Sequence, residues 1–427
     1  MTQNAEHRVV IVGAGFGGVY AARALRRAPV RVTVINGTNH HVFEPLIYQV
    51  ATGVLSPGEV ATPVRELLGG QRNTEVRLGW VTGVDAEART VTASGPGGTY
   101  TVGYDTLIVA AGATQSYFGN DGFAEHAPGM KTLDDALDLR GRVFGAFEAA
   151  EVATDPADVE RLLTFVIVGA GPTGVELAGS ISEIATRTLR GRYRNIDPAS
   201  ARIVLLDAVD RVLPTFRAPL SASAEKRLRK LGVDVRLGTK VVDVDADGVK
   251  IETTDGAERI DAATKIWAAG VAGTALGRRL AEATGAETDR GGRILVAPDL
   301  TVPGHPEIFV VGESGTLNRL PGVAQVAMQG GTYAGRTIAR RVAGKPAGKP
   351  FSYFDKGNMA VVSRWNAVAN VGPLTFGGPL GWLMWLAVHV YYLHGGRNRA
   401  TTLLRWAISF LGRNRSEWSI ASSRMPS

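Results

Sequence analysis

Two stretches decide the fold: VVIVGAGFGG (Val9–Gly18) and FVIVGAGPTG (Phe165–Gly174). They agree at seven of ten positions. Each is a run of β-branched residues that leads into G-x-G-x-x-G and then a helix-like run, which predicts strand, tight turn and helix. The first loop holds Gly13, Gly15 and Gly18, with Gly17 between the last two; the second holds Gly169, Gly171 and Gly174. The first glycine makes the turn, the second lets the backbone reach a pyrophosphate, and the third allows close helix–strand packing. The helix N-terminus that follows offers free N–H groups to negative charge. One such loop could serve packing alone. Two in one chain need a common explanation.

The echo continues further along. TLIVAAG ends at Gly112 and TKIWAAG at Gly270, and these endings sit at nearly the same offset as the two loops. A second strand follows each loop. RIVLLD ends in Asp207, whose carboxylate would accept from a ribose 2′-OH and repel a 2′-phosphate, favouring NADH over NADPH. RVTVIN ends in Asn36, which keeps an amide for a ribose without the charge. The plainer reading of Asp207 is a turn residue at a strand end. EIFVVGES (Glu307–Ser314) reads as one more buried strand, returning the chain to its first domain and ending beside Glu313. After it, GVAQVAMQGGTYAGRTIARRV has small residues at helical spacing and two amides, Gln325 and Gln329, one turn apart on one face. A run this rich in Ala and Gly lets a helix approach something flat closely; a solvated face is the plainer reading of the amides.

A chain of 427 residues has room for two or three domains. It contains no cysteine, which excludes disulfides, thiolate metal sites and dithiol redox chemistry. Redox work must then fall to a bound organic cofactor. The seven histidines are scattered, and His40 and His41 are expected to pack beside a nucleotide. MTQNAEHR has no apolar segment of the secretory type, so the protein is expected to stay in the cytoplasm.

The end of the chain differs in character. PLGWLMWLAVHVYYLHGGRNR begins at Pro379, and from there on stand six arginines (397, 399, 405, 413, 415, 424) against one acid, Glu417. Leu380–Leu393 is too short to span a bilayer, which takes roughly 20 apolar residues. Leu383, Leu386, Val390 and Leu393 would share one side of a helix, and Trp382, Trp385 and Tyr392 another. In the next segment Leu404, Ala407, Ile408 and Leu411 form a stripe from which Arg405 and Arg413 point away. Arginine clustered with tryptophan reads as an anionic membrane surface rather than nucleic acid. A buried core helix or a dimer helix is the competing reading, and a C-terminal homodimer is compatible with both.

These residues resemble the type II, non-proton-pumping NADH:quinone oxidoreductases over nearly the whole chain. The resemblance rests on both loops, NHHVFEPLIYQVATG, AAGATQSYFG, APGMKTLDDAL, GPTGVELAG, WAAGV, AQVAMQ, DKGNMA and the aromatic tail with GGRNR. It implies an α/β fold with two Rossmann-like domains of the glutathione-reductase-like type and a C-terminal amphipathic helical anchor. It further implies an FAD domain over 1–160 and 271–345, an NADH domain over 161–270 and an anchoring or dimerisation region over 346–427. Hydride would pass from NADH to the flavin N5 of FAD, and two electrons then to a membrane quinone, menaquinone or ubiquinone. Such an enzyme would lie peripherally on the cytoplasmic face of the cell membrane.

By the same resemblance Gly13, Gly15, Gly17, Gly18 and Asn36 would hold FAD, with Gly112 and Glu313 closing over it. Gly169, Gly171, Gly174 and Asp207 would hold NADH. Glu176 would lie near the rings as a proton-handling group; a carboxylate favoured by the helix dipole is the alternative. Gln325 and Gln329 would sit by the flavin's pyrimidine edge as catalytic residues lining the quinone entrance, with Ala324 and Gln325 also binding the cofactor. The chain departs from the family at Asn36, Glu44 and Glu313, where an acid, Gln and Asp are usual. Two other functions share the fold: a soluble NADH-dependent flavin oxidoreductase serving a redox protein or small substrate, and a redox sensor that binds FAD and NADH.

Overall fold

The computed structural model describes residues 6–254, 256–346, 348–412, 415 and 417–419. By contact the chain forms two compact units: residues 1–41, 62–114 and 271–355, and residues 42–61, 115–270 and 356–427.

The first unit is built on a six-stranded sheet in the order Thr301–Val302, His305–Val310, Thr106–Val109, His7–Val12, Val30–Asn36, Thr74–Leu78. All neighbours are parallel except the first pair. The central strands carry Val and Ile at nearly every position because both faces are covered, as parallel sheets require. Val9, Ile11, Val32 and Val34 point to one face with Ile108 and Phe309; Val10, Val12 and Ile35 point to the other. The expected return strand is present and runs parallel beside Thr106–Val109.

The second unit repeats the plan. Its parallel sheet has the order Val233–Arg236, Arg202–Leu206, Thr164–Val168, Thr264–Trp267. In both sheets the strand before the glycine loop lies between the strand ending in Asn36 or Asp207 and the strand leading to Ala-Ala-Gly. That position is the switch point where open α/β sheets bind ligands. An antiparallel meander, Asn358–Ser363, Asn366–Val371 and Leu374–Gly377, completes this unit with the tail helices Gly378–Tyr392 and Gly396–Leu411.

The tail corrects one expectation. Trp382, Trp385 and Trp406 are buried in the unit and not arrayed as an interfacial belt. Trp385 stacks on His389 at 4.2 Å and tilts against Trp406 at 5.2 Å. Large planar side chains bury the most area, so the core takes them and leaves the aliphatic side outside. Leu380, Leu383, Leu403, Leu404, Ile408 and Leu411 are exposed, whereas Leu393 turns inward. Arginines of the tail are structural as well: Arg405 pairs with Glu59 at 3.1 Å, and Arg399 donates to the carbonyls of Leu393 and Tyr391 at the end of its neighbour helix. Arg413 and Arg424 lie outside the described residues. Among the described residues no helix is long and apolar enough to cross a membrane.

Candidate functional site

In the first unit Gly13 has φ +97°, and a Cβ there would overlap the carbonyl oxygen of Ala110. Gly18 packs on the carbonyl of Gly13, so the third glycine closes on the first. Gly17 lies against Val311. Gly15 differs from the other three: a Cβ would meet nothing within 4 Å. It precedes the helix Phe16–Ala24, whose first turn has no capping side chain and no acid. Open space at a helix start without a capping side chain fits a pyrophosphate.

Asn36 supports this turn from below. Its Oδ1 accepts from Ala14 N–H at 2.8 Å, and its Nδ2 donates to the carbonyl and hydroxyl oxygens of Thr38 at 2.8 and 3.1 Å. The amide therefore fixes the loop, whatever else it contacts. His41 Nδ1 lies 2.8 Å from Ala14 O and its ring packs edge-on against Phe16. Burial pushes the imidazole down to about 4, so it is neutral at pH 7. Gly112, at φ +68°, also faces open space, and Ser314 donates to its carbonyl at 3.0 Å. Glu313 sits in the turn Gly312–Ser314, with its carboxylate against Gly322.

The helix Ala324–Val342 opens with Ala324 and Gln325, both half-buried. Gln329 is engaged in both directions: its Nε2 donates to Phe354 O at 2.9 Å and its Oε1 accepts from Phe354 N–H at 3.0 Å. The glycines of this helix approach another helix, with Gly331 against Gly17 and Gly335 against Ala21.

The second unit rebuilds the loop with different residues. Gly169 has φ +109° and lies against Ala269; Gly174 packs on the Gly169 carbonyl; Gly171 faces open space. The helix Pro172–Glu183 begins with proline, and its first turn has neither cap nor acid. Asp207 Oδ2 accepts from Ala170 N–H at 2.6 Å, as Asn36 does from Ala14, and its Oδ1 accepts from Val209 N–H at 3.1 Å. Each loop thus fits a dinucleotide. Glu176, on the same helix, accepts from Val361 N–H at 3.3 Å. Loss of hydration raises its carboxyl well above the usual range and so favours the protonated form.

Sequence reasoning missed a buried polar group in this unit. The Tyr48 hydroxyl accepts from Gln49 Nε2 at 3.0 Å; burial raises it well above the ordinary phenol value, and Glu176 and Glu183 push in the same direction. Arg415 donates to Thr52 O at 2.5 Å and Ser180 O at 3.1 Å, with Glu183 at 3.7 Å. Burial lowers its guanidinium to about 10. Tyr48, Gln49, Glu183, Arg415, Trp382 and Trp385 line one small cavity. In the sequence Arg415 is one arginine of a basic tail, and no local pattern marks it as buried.

Comparison with known proteins agrees with this geometry. The pyridine nucleotide-disulphide oxidoreductase family matches residues 7–331. The chain has no cysteine, so disulphide chemistry is not what it shares. Two proteins of Mycobacterium tuberculosis, both called type II NADH:quinone oxidoreductase, are 52% and 55% identical over 421 residues. The matches cover 98% and 97% of this chain and 91% and 90% of theirs. The structure of NDH2 from Plasmodium falciparum in complex with NADH has the same fold, with a TM-score of 0.87 at 19% identity over 96% of this chain and 99% of that one. With two nucleotide loops of one design and full-length kinship of this degree, the chain belongs to the type II NADH:quinone oxidoreductases.

Proposed function

We propose that this protein oxidises NADH and reduces a membrane quinone, menaquinone or ubiquinone, with FAD as its resident cofactor and without proton pumping. The observation that carries the reading is the pair of glycine loops, each with its middle glycine facing open space and a helix start free of acids. FAD, when bound, supplies the chemistry that accepts a hydride and releases electrons as a pair. The chain's own work is binding and proton handling.

Residues 1–160 and 271–345 serve FAD, through Gly13, Gly15, Gly17, Gly18, Gly112 and Glu313. Residues 161–270 serve NADH, through Gly169, Gly171 and Gly174, with Asp207 selecting against a 2′-phosphate. Glu176 enters the cycle protonated and exchanges its proton during quinone reduction. Ala324 and Gln325 border the flavin. Gln329 acts by holding the Phe354 backbone, a positioning role that its paired hydrogen bonds support.

Residues 346–427 attach the protein peripherally to the cytoplasmic face of the membrane. The exposed leucines and Ile408 of the tail helices are the contact. Six side chains at roughly 1.5–3 kcal/mol each give a reversible attachment once entropy losses are subtracted. No nucleic acid takes part, and a homodimer would place two such faces on one membrane.

Anaerobic stopped-flow on FAD-loaded protein in detergent tests the reading. NADH should bleach the flavin, and menaquinone or ubiquinone should restore its colour within the turnover time. If NADH bleaches the flavin and neither quinone restores it, the acceptor is a soluble one. If reoxidation is slow with every acceptor tried, the protein is a sensor.

A further inference from the structure

The segment TQSYFGN carries an oddity that the proposed function does not use. Asn120 N–H donates to Tyr117 O at 3.1 Å, which closes a turn with Phe118 and Gly119 at its centre. Both have positive φ, 53° and 92°. Two consecutive positive values belong to a primed turn, whose first central place normally goes to Asn, Asp or Gly. Phenylalanine there is strained, and the residue is 68% exposed. Strain held on an exposed aromatic points to use, because neither the turn nor the core gains from it.

The turn is firmly anchored. Gln115 Nε2 donates to Ala269 O at 2.5 Å and Gly270 O at 2.8 Å, and Trp267 Nε1 donates to Ser116 O at 2.9 Å. Tyr117, buried, packs on Trp267 at 5.2 Å and donates to Ala127 O at 3.0 Å. These bonds hold the backbone of the turn, and the Phe118 ring lies over Gly270, where a Cβ would come within 2.6 Å of it. Gly270 follows the strand Thr264–Trp267, and Ala269 borders Gly169. The ring therefore stands at the switch point, on the side of the glycine loop opposite Asp207. A dinucleotide with its pyrophosphate at Gly169–Gly174 and its adenosine ribose at Asp207 must run its other half along Trp267–Gly270.

We propose that Phe118 covers the nicotinamide half of NADH and sets how tightly that half is held. The proposal rests on the reading that the second loop holds NADH. Gly270 is glycine so that ring and backbone can meet, and the strained turn presents the ring without a flexible stem.

The test uses the full-length, FAD-loaded protein, with Phe118→Gly and Phe118→Trp. Glycine suits the turn better than phenylalanine, so the first variant keeps the backbone. The concentration of NADH that half-saturates flavin bleaching is measured, together with the inhibition constant of ADP-ribose, which lacks the nicotinamide. Phe118→Gly should raise the NADH value about tenfold or more, the worth of one base–aromatic stack, and leave the ADP-ribose constant unchanged. Phe118→Trp should stay within about twofold of the parent, since its ring stacks as well. If both constants rise together in the glycine variant, or neither moves, the proposal is overturned. If ADP-ribose does not compete with NADH in the parent protein, the placement of NADH on the second loop is what has failed.

Discussion

Trp406 donates its indole N–H to the side-chain oxygen of Gln49 at 2.6 Å, across 357 positions of sequence. Both residues are buried, and Gln49 passes the link on to the Tyr48 hydroxyl. Arg405 to Glu59 and Arg415 to Thr52 add two more ties between the tail and residues 49–59. The tail is therefore part of the core of its unit and not an appendage. Trp406→Phe keeps the ring packing and strands the Gln49 oxygen, which should cost about 1–3 kcal/mol and lower Tm by several degrees. Adding Gln49→Leu removes the stranded oxygen, so the double variant should lose less than the sum of the singles. Additive losses in thermal melts would show that the bond contributes nothing.

The same ties decide how membrane attachment should be probed. Deleting the chain from Pro379 would remove Trp382, Trp385 and Trp406 from the core, so loss of binding would be indistinguishable from unfolding. Charges on the outer face avoid that problem. Leu404→Glu with Ile408→Glu changes two side chains at 62% and 50% exposure, where surface substitutions shift stability by about 0.5 kcal/mol or less. The double variant should keep its Tm, keep NADH-dependent flavin bleaching and fail to co-sediment with vesicles of anionic lipid. Retention on vesicles at parental levels would remove this face as the anchor.

Asp207 and Asn36 perform the same local task, each accepting the N–H of the alanine inside its glycine loop. The first loop thus demonstrates that an amide suffices for the turn. Asp207→Asn should fold with little change in Tm and lose the charge that repels a 2′-phosphate. The preference for NADH over NADPH in kcat/KM should fall about tenfold, equivalent to about 1.4 kcal/mol. An unchanged ratio would mean that the carboxylate serves the loop alone.

How much of this was readable from residue order differs by element. The loops, the strands behind them and the Ala-Ala-Gly endings were legible because each depends on neighbours within ten residues: β-branched runs, obligatory glycines, a helix start. The inward side of the tail was not. Periodicity separates the Trp382–Trp385 face from the Leu383 face, yet it cannot say which is buried, and aromatic area chose for the core. Arg415 was illegible for a related reason. Its partners, Thr52, Ser180 and Glu183, come from distant parts of the chain, so its composition signal was that of a basic surface. Gln329 fell between the two cases: its helix face was evident, but its bonds to Phe354 depend on a loop without a pattern.

Glu176 offers a kinetic prediction. Burial raises its carboxyl well above the usual range and favours the protonated form. Because the folded value lies above the unfolded one, its contribution to stability is full below about 4.5 and is lost as pH rises through the folded value. Glu176→Gln mimics the protonated form, keeps an acceptor for Val361 N–H and should flatten that pH dependence. If the proton is exchanged with quinone, flavin bleaching by NADH should be unaltered and quinone-dependent recovery slowed about a hundredfold or more. Equal slowing of both half-reactions would assign Glu176 to positioning.

His389 reverses the sign. It is buried, stacked on Trp385 and edge-on to Phe43, with Nδ1 2.6 Å from Trp385 O. Burial lowers the imidazole to about 4 from 6.5. The unfolded chain takes up a proton at higher pH than the folded one, so stability is full above about 6.5 and falls as pH drops toward 4. The shift corresponds to about 3 kcal/mol at the acid end. His41 titrates in the same window in the other unit, so the readout must be local. Tryptophan fluorescence during denaturant unfolding at pH 7, 6 and 5 reports mainly the tail unit, which holds six of the seven tryptophans. The parent should lose stability steadily over that series, and His389→Asn, which keeps a donor toward Trp385 O, should lose markedly less. Parallel losses in the two proteins would place the acid sensitivity elsewhere and leave His389 with a packing role only.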